Sequence, residues 1–558
     1  MEDSQNKHKN YLATLLLPQD SFDLTSSQLM GRRIAGVNLV KGITQNLKQN
    51  EQLNIFTDNT LAKHNLENLL YNLKPKESNI NIKTKLSNND LQTLFIQDTS
   101  ITKYSALRAG IKSNAFSIVG MIHTLSSTEA IQSIQNTVTG PLEDWDALIC
   151  TSTTGKKVVE RIINYHHHSL EEKFGIILPK NKSIKLPIIP LAVKDFLIDK
   201  NITRQEKRIN ARNILGLPKD SYVILYLGRL CSHAKAHPSS IYQAVSKTAS
   251  LCTDKKIILL ECGVFNNKLA EEAYNDLARN TNNLNLIRIG GSKNATEDEK
   301  ELALMAADVF VSPSDNIQET FGITVVEAMS AELPIIISDW NGYKDFVLDG
   351  ENGYLIPTSY YLGADNSLDF IDREYQLGLI NYDYMIGLRS MTTCLDANVM
   401  AERLIYLANN PQKRIEIGLN SKKHWRTKFS WEIVQKKLRD LWEELYFERL
   451  KAVIEKKQRS NIPSMKYLFK DYGTNEIKIK NSRYKISSKN PEILKHKLHI
   501  SLSKIIIGKS IYTLIDYLND NKFLDIQDLT KIGIPNEKKQ LIISSLMKFS
   551  IIESDNNY

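Results

Sequence analysis

Short apolar runs separated by helix-length segments recur along this chain, and they do so in two series. Tyr11–Leu17, Leu53–Thr57, Leu94–Gln97, Phe116–Ile122 and Ala147–Thr151 read as buried strands of the first. Val223–Leu227, Lys256–Glu261, Leu284–Ile289, Val309–Ser312 and Pro334–Ser338 read as those of the second. Continuous apolar runs alternating with helices call for parallel sheets covered on both faces. Between the series, residues 179–218 carry Pro179, Pro187, Pro190 and Pro218 around the charged stretch Lys200–Arg212, which suits a domain boundary. The expectation is therefore two α/β domains in series, residues 1–195 and 196–447. No short repeat suggests a solenoid.

Composition narrows the class further. The 558 residues allow about three domains of ordinary size. With 42% hydrophobic and 24% charged residues, wholesale disorder is excluded. The five cysteines (Cys150, Cys231, Cys252, Cys262 and Cys394) are scattered and form no Cys-x-x-Cys pair, so neither a disulfide framework nor a zinc ribbon is indicated. A reducing compartment follows. Leu12–Leu17 is too short for a signal-peptide core, and no run approaches the ~20 apolar residues that span a bilayer. The expected location is cytoplasmic.

The net charge of +9 sits in the tail, because residues 451–558 hold 20 Lys/Arg against 11 Asp/Glu. Residues 448–509 read as a basic linker and segment, with 11 Lys/Arg and 3 Asp/Glu in 466–509. That stretch suits peripheral contact with an anionic membrane surface. Residues 510–558 show amphipathic helical patterns of a small, winged-helix-like module. Its 5 Lys/Arg and 7 Asp/Glu argue against a nucleic-acid partner. Residues 358–395, rich in Tyr and Asp, read as an inserted loop. Ser430 is a candidate N-cap for a last helix running to residue 447.

The densest chemical signal is Val309-Phe-Val-Ser-Pro-Ser-Asp-Asn-Ile-Gln-Glu319-Thr-Phe321-Gly322-Ile323-Thr-Val-Val-Glu327. A strand ends, a loop carries Glu319, and Gly322 leads into a helix carrying Glu327. In an open parallel sheet ligands bind beyond the carboxyl ends of the strands. A helix N-terminus there suits phosphate, and glycine lets the backbone approach it. Carboxylates accept hydrogen bonds from hydroxyls. A ligand with central phosphates and hydroxyls at both ends, a nucleotide sugar, fits this layout. Upstream, the strand Tyr222–Leu227 runs into Gly228 and Arg229, with Lys235 six residues on. Two cations at a strand end could neutralise a diphosphate leaving group without a metal.

In this order the elements resemble glycosyltransferase family 4, retaining enzymes of the GT-B fold, whose two Rossmann-like domains face each other across a cleft. Glu319 to Glu327 matches the family's E-x7-E motif, Arg229 and Lys235 its phosphate-binding pair, and Met121-Ile-His123 its strand-end histidine. The resemblance covers residues 1 to about 447. It implies that Arg229 and Lys235 stabilise the departing diphosphate. Glu319, with the amides of Phe321, Gly322 and Ile323, would hold the donor sugar. Glu327 would grip the ribose, and His123 would lie by the transferred sugar. Gly31-Arg-Arg-Ile-Ala-Gly36 would be a glycine loop facing the phosphates. The reaction implied is sugar transfer with retention, with no cofactor or metal, to an acceptor that remains open. The chain departs from the family in carrying Glu332 near a usual glycine position, and Arg32 and Arg33 in the glycine loop.

Other motifs read more plainly. Asp144-Trp-Asp146 looks like a metal-binding Asp-x-Asp, but a corner entering the strand Ala147–Thr151 accounts for it. His166, His167 and His168 are adjacent, and adjacent helical residues do not face one way. Two competing functions stay open at this level: a GT-B scaffold acting through its basic C-terminal part, and a nucleotide-sugar epimerase.

Overall fold

The structure is a computed structural model. It describes residues 12–22, 31–48, 51–73, 79–85, 91–108, 111–179, 184–199, 201–363, 366–452, 460, 462–472, 483–487, 491–495 and 510–554. The chain divides into two compact units, Met1–Asn461 and Ile462–Tyr558.

The first unit holds two six-stranded parallel sheets. In the first, Thr14–Leu16 (β1), Gln52–Phe56 (β2), Asn79–Lys83 (β3), Thr93–Ile96 (β4), Ser117–Met121 (β5) and Ala147–Ile149 (β6) run in the order β3-β2-β1-β4-β5-β6. In the second, Tyr222–Leu227 (β7), Ile257–Val264 (β8), Leu286–Gly291 (β9), Val309–Ser312 (β10), Ile335–Ser338 (β11) and Gly353–Ile356 (β12) run β12-β11-β10-β7-β8-β9. Strand order reverses between β1 and β4, and between β10 and β7. At such switch points the loops leaving adjacent strands diverge and open a crevice. Two Rossmann-like domains are the GT-B arrangement expected. Only the edge strands β3 and β12 escape the sequence pattern, β3 alternating polar residues with isoleucines and β12 opening on a glycine.

Buried ion pairs fix the strand entries. Asp146 lies at the start of β6, fully buried. It holds Arg108 through both carboxylate oxygens, at 3.0 and 2.6 Å, and accepts the backbone N–H of Ile118 and Glu143. The Asp144–Asp146 corner is therefore internal. Asp308, before β10, takes Arg212 at 2.6 Å and the β7 amide of Val223 at 2.8 Å.

The helix Trp431–Lys451 returns to the first domain, placing Val434, Leu438, Leu441, Trp442 and Leu445 in its core. Fully burying such side chains is worth about 1.5–3 kcal/mol each. Ser430 precedes it without a side-chain capping bond, its hydroxyl turning back to the Arg426 carbonyl.

Residues 358–395 are built rather than loop-like. Thr358–Tyr360 (β13) and Thr393–Leu395 (β14) pair antiparallel and enclose the helices Asp369–Gln376 and Tyr382–Ser390. Ile371, Met385 and Ile386 pack on Cys231 and Ala234 of the loop after β7.

In the second unit, Arg483–Ile486 (β15) pairs antiparallel with Phe523–Asp525 (β16) and Ile552–Ser554 (β17). Helices Ser510–Asp520 and Asn536–Lys548 cover this sheet, and Tyr484 is buried in their core. The division expected at 509/510 thus does not separate a linker from a module, because a strand of the basic segment pairs inside the module. Most of the rest of that basic segment lies outside the described residues. Among the described residues no helix is long and apolar enough to cross a membrane.

Candidate functional site

The loop after β10 is organised by a residue that the sequence reading did not single out. Asn316 is fully buried, and its carbonyl oxygen accepts the backbone N–H of Gln318 and Glu319, each at 3.0 Å. Its amide donates to the Lys235 carbonyl at 2.5 Å, and its own backbone carbonyl accepts Trp340 Nε1 at 2.7 Å. Asn favours such side-chain-to-backbone turns, which was the available signal. One side chain thereby ties the Glu319 loop to the Lys235 loop.

Glu319 and Lys235 meet directly, Nζ to Oε2 at 2.5 Å, with side chains 12% and 30% exposed. Burial pushes the Glu319 carboxyl upward. The Lys235 charge and hydrogen bond, the Phe321 N–H and the Arg229 charge outweigh it, so the group lies below its ordinary value. The other Glu319 oxygen is 3.4 Å from the Phe321 N–H. Behind the loop, burial pushes Asp315 up to about 7, with the His237 N–H as the main counterweight. Arg229 is half-buried, and its guanidinium makes no hydrogen bond among the described residues. It is a cation at the switch point available to a ligand.

Gly322 caps the helix Ile323–Ser330 with φ at 92°, a left-handed backbone that favours glycine. A Cβ there would lie 2.2 Å from the Tyr343 ring. No side chain caps this helix; the Val325 N–H turns back to the Gly322 carbonyl at 3.1 Å, which leaves the amides of Ile323 and Thr324 at its positive end. The Phe321 side chain is not part of that surface. It stacks edge-on against Phe346, centroids 4.9 Å apart, in the core.

Glu327 is 3% exposed and bonded to Lys300 at 2.9 Å. Lys300 also reaches Glu297 at 3.3 Å, and these carboxylates hold its ammonium above the usual range against the opposing effect of burial. Lys300 also escaped the sequence reading, because it lies on the helix Glu297–Ala306 with no motif around it.

The first domain meets this loop directly. The Thr320 hydroxyl donates to the His123 carbonyl, and Ser152 Oγ donates to the Thr320 carbonyl at 2.9 Å. Gly342 permits the approach, since a Cβ on it would lie 2.2 Å from the Thr320 oxygen. Tyr382 of the inserted helix pair bonds Ser126 at 2.7 Å and Thr124 at 3.0 Å, just beyond His123. His123, Arg229, Lys235, Glu319, Gly322 and Ile323 therefore gather around one junction of the two domains.

Gly31 and Gly36 require a correction. They are the first and sixth residues of the helix Gly31–Gln45, not a loop. Gly36 is a packing glycine, since a Cβ would lie 2.2 Å from the Ser21 carbonyl. The same helix supplies Ala35, Asn38 and Leu39 to a cavity shared with His123 and Ile323. The preceding residues 23–30 lie outside the described ones.

Residues 207–362 match the sequence model of the family described as Glycosyl transferases group 1. Over 162 residues the chain is 31% identical to a phosphatidyl-myo-inositol mannosyltransferase of Mycolicibacterium smegmatis, covering 29% of this chain and 39% of that protein. It is 28% identical over 180 residues to a D-inositol 3-phosphate glycosyltransferase of Corynebacterium diphtheriae, covering 31% and 41%. The chain thus spans about two fifths of the length of these curated relatives. In fold it is similar to Anabaena Alr3699/HepE in complex with UDP, with TM-score 0.50 and 13% identity over 78% of this chain and 100% of that one.

Proposed function

We propose that this protein is a retaining glycosyltransferase that moves a sugar from a nucleotide-sugar donor to a hydroxyl acceptor without a metal. The observation that carries the reading is the Lys235–Glu319 pair at 2.5 Å, set between Arg229 and the uncapped helix start at Ile323. A diphosphate on the amides of Ile323 and Thr324 would be met by Arg229 and Lys235. Glu319, already ionised, would accept donor-sugar hydroxyls, and Glu327 with Lys300 would hold the ribose side. The C1–O bond to the diphosphate breaks as the bond from the acceptor oxygen to C1 forms on the same face. The acceptor proton passes to the departing phosphate oxygen, whose charge the two cations offset. The names of the matched relatives and the UDP in the Anabaena complex support a nucleotide-linked donor.

A thermal-shift panel of nucleotide diphosphates and nucleotide sugars tests this, without metal and again with it. A ligand at about 100 times its Kd adds roughly 2.7 kcal/mol of stability. The shift is expected with one nucleotide sugar, and to vanish in Arg229→Ala, a change that breaks no hydrogen bond among the described residues. Turnover with an acceptor, followed by NMR of the product anomer, reads the retention. A folded protein that no nucleotide shifts would refute the proposal.

A further inference from the structure

Gln97 follows directly on β4 and is 4% exposed, yet both polar atoms of its side chain lack a hydrogen-bond partner among the described residues. A buried amide left unmade is costly, so its persistence points to a ligand that completes it. Space is reserved for it: a Cβ at Gly36 would lie 2.9 Å from the Gln97 side-chain oxygen. Gln97 and His123 are shared by two cavities. The small one, about 20 Å³, runs to Ile323 at the start of the phosphate-facing helix. The larger, about 290 Å³, lies over the ends of β4 and β5. Gln97 therefore stands where the donor side and the first domain's own cavity join.

The larger cavity is chemically distinctive. Its polar lining includes the hydroxyls of Thr99, Ser100, Thr124 and Ser127, the His123 imidazole and the carboxylates of Asp98 and Glu129, and among the described residues no Lys or Arg. The helix Thr128–Thr139 begins here, but its first turn does not offer an anion site. Ser127 accepts the Ala130 N–H at 3.2 Å, the Tyr375 hydroxyl accepts the Thr128 N–H at 3.3 Å, and Glu129 sits in the turn. A phosphorylated group would meet two carboxylates with no lysine or arginine from the described residues lining the cavity. A neutral polyol would meet donors and acceptors of both kinds.

Resting on the transferase reading above, we infer that this cavity takes an uncharged, hydroxyl-rich acceptor sugar, and that Gln97 is a positioning residue hydrogen-bonded to one of its hydroxyls. Selection is by charge: a phosphorylated saccharide is excluded by Asp98 and Glu129.

The test uses the full-length protein on an array of neutral saccharides and their phosphorylated counterparts, with UDP or GDP present. Neutral saccharides are expected to bind, with the phosphorylated forms at least tenfold weaker. Gln97→Leu should weaken neutral-saccharide binding about tenfold or more and leave the Kd for the nucleotide within twofold. Its Tm should hold or rise, because an unpaired buried amide is replaced by an apolar group of similar size. A merely structural glutamine would instead lower the Tm and leave saccharide affinity alone, and that result overturns the assignment. Preferential binding of phosphorylated saccharides, or no saccharide bound while a nucleotide binds, overturns the acceptor class alone. If no nucleotide binds, the transferase reading fails first and the inference with it.

Discussion

Replacing Lys235 by Met isolates the pair at the centre of the site. Methionine keeps most of the stem's packing and removes only the charge. At the observed 2.5 Å contact, Coulomb attraction at an effective dielectric near 20 is roughly 5–7 kcal/mol gross, mostly offset by desolvation of both ions. Removing one partner of a fully buried pair costs about 3–5 kcal/mol. With Lys235 30% exposed, about 2–3 kcal/mol is expected near neutral pH. The pH dependence is the sharper readout. In the wild type Glu319 lies below its ordinary value of 4.5, so its contribution is present above the unfolded pKa and lost as pH falls through the folded one. In Lys235→Met, burial outweighs the Phe321 N–H and Arg229, and the folded pKa moves above the unfolded value. The variant's penalty then grows as pH rises through that range. Urea unfolding of both proteins from about pH 4 to 8 should show midpoints that converge in acid and diverge towards neutrality. Adding Glu319→Gln to the variant should restore most of the loss at neutral pH, since the stranded carboxylate is gone. A gap between the midpoints that does not change with pH would refute the argument that Lys235 is what keeps Glu319 ionised.

Three further outcomes are expected. Glu332 holds φ at 63°, a left-handed backbone that costs a residue with a side chain roughly 1–2 kcal/mol, so Glu332→Gly should leave stability unchanged or raise it by up to about 1 kcal/mol in chemical denaturation. Asp315 is pushed up to about 7 by burial, so its penalty is absent below about pH 4 and complete above about pH 7; Asp315→Asn should therefore raise the Tm at pH 8 and not at pH 4. Tyr382→Phe removes the hydroxyl shared by Ser126 and Thr124, worth about 0.5–1.5 kcal/mol, and hydrogen exchange should quicken in both 124–128 and 382–390 rather than in one alone.

What the sequence revealed follows from how locally each feature is encoded. Ten of the twelve strands of the two large sheets were legible: most are buried along their length and apolar, while β2 and β9 are partly exposed and were legible from the apolar residues they retain. Glu319, Gly322 and Glu327 were legible because one loop and one helix carry them at fixed spacing. Gly31 and Gly36 misled for the complementary reason: a glycine serves equally in a loop or under a close helix contact, and only the Ser21 carbonyl beneath Gly36 decides which. Glu332 was noticed as standing near a glycine position, and its positive φ supplies the physical ground. Lys300 and Tyr382 were invisible because each acts on residues that the topology delivers from elsewhere in the chain, whereas Asn316 carried a local turn signal and only its reach to Lys235 and Trp340 was hidden.

The inserted pair of helices shows why such residues matter to the site as a whole. Arg229 and Lys235 stand on the loop after β7, and that loop has the insert packed on it through Cys231 and Ala234. From the same insert, Tyr382 and Tyr375 bond the segment 124–128 of the first domain. Thr320, beside Glu319, bonds the His123 carbonyl at the head of that segment. Two independent ties therefore join the cation loop and the Glu319 loop to one stretch of the opposite domain. Displacing the domains would have to break both together, so the spacing between Arg229, Glu319 and His123 is coupled to closure. A site that transfers a group between ligands held by different domains needs that coupling, because reacting atoms must be brought within about 3–3.5 Å. On the transfer proposed above, the cavity that Gln97, His123 and Ile323 line together is where the acceptor hydroxyl and the donor would meet.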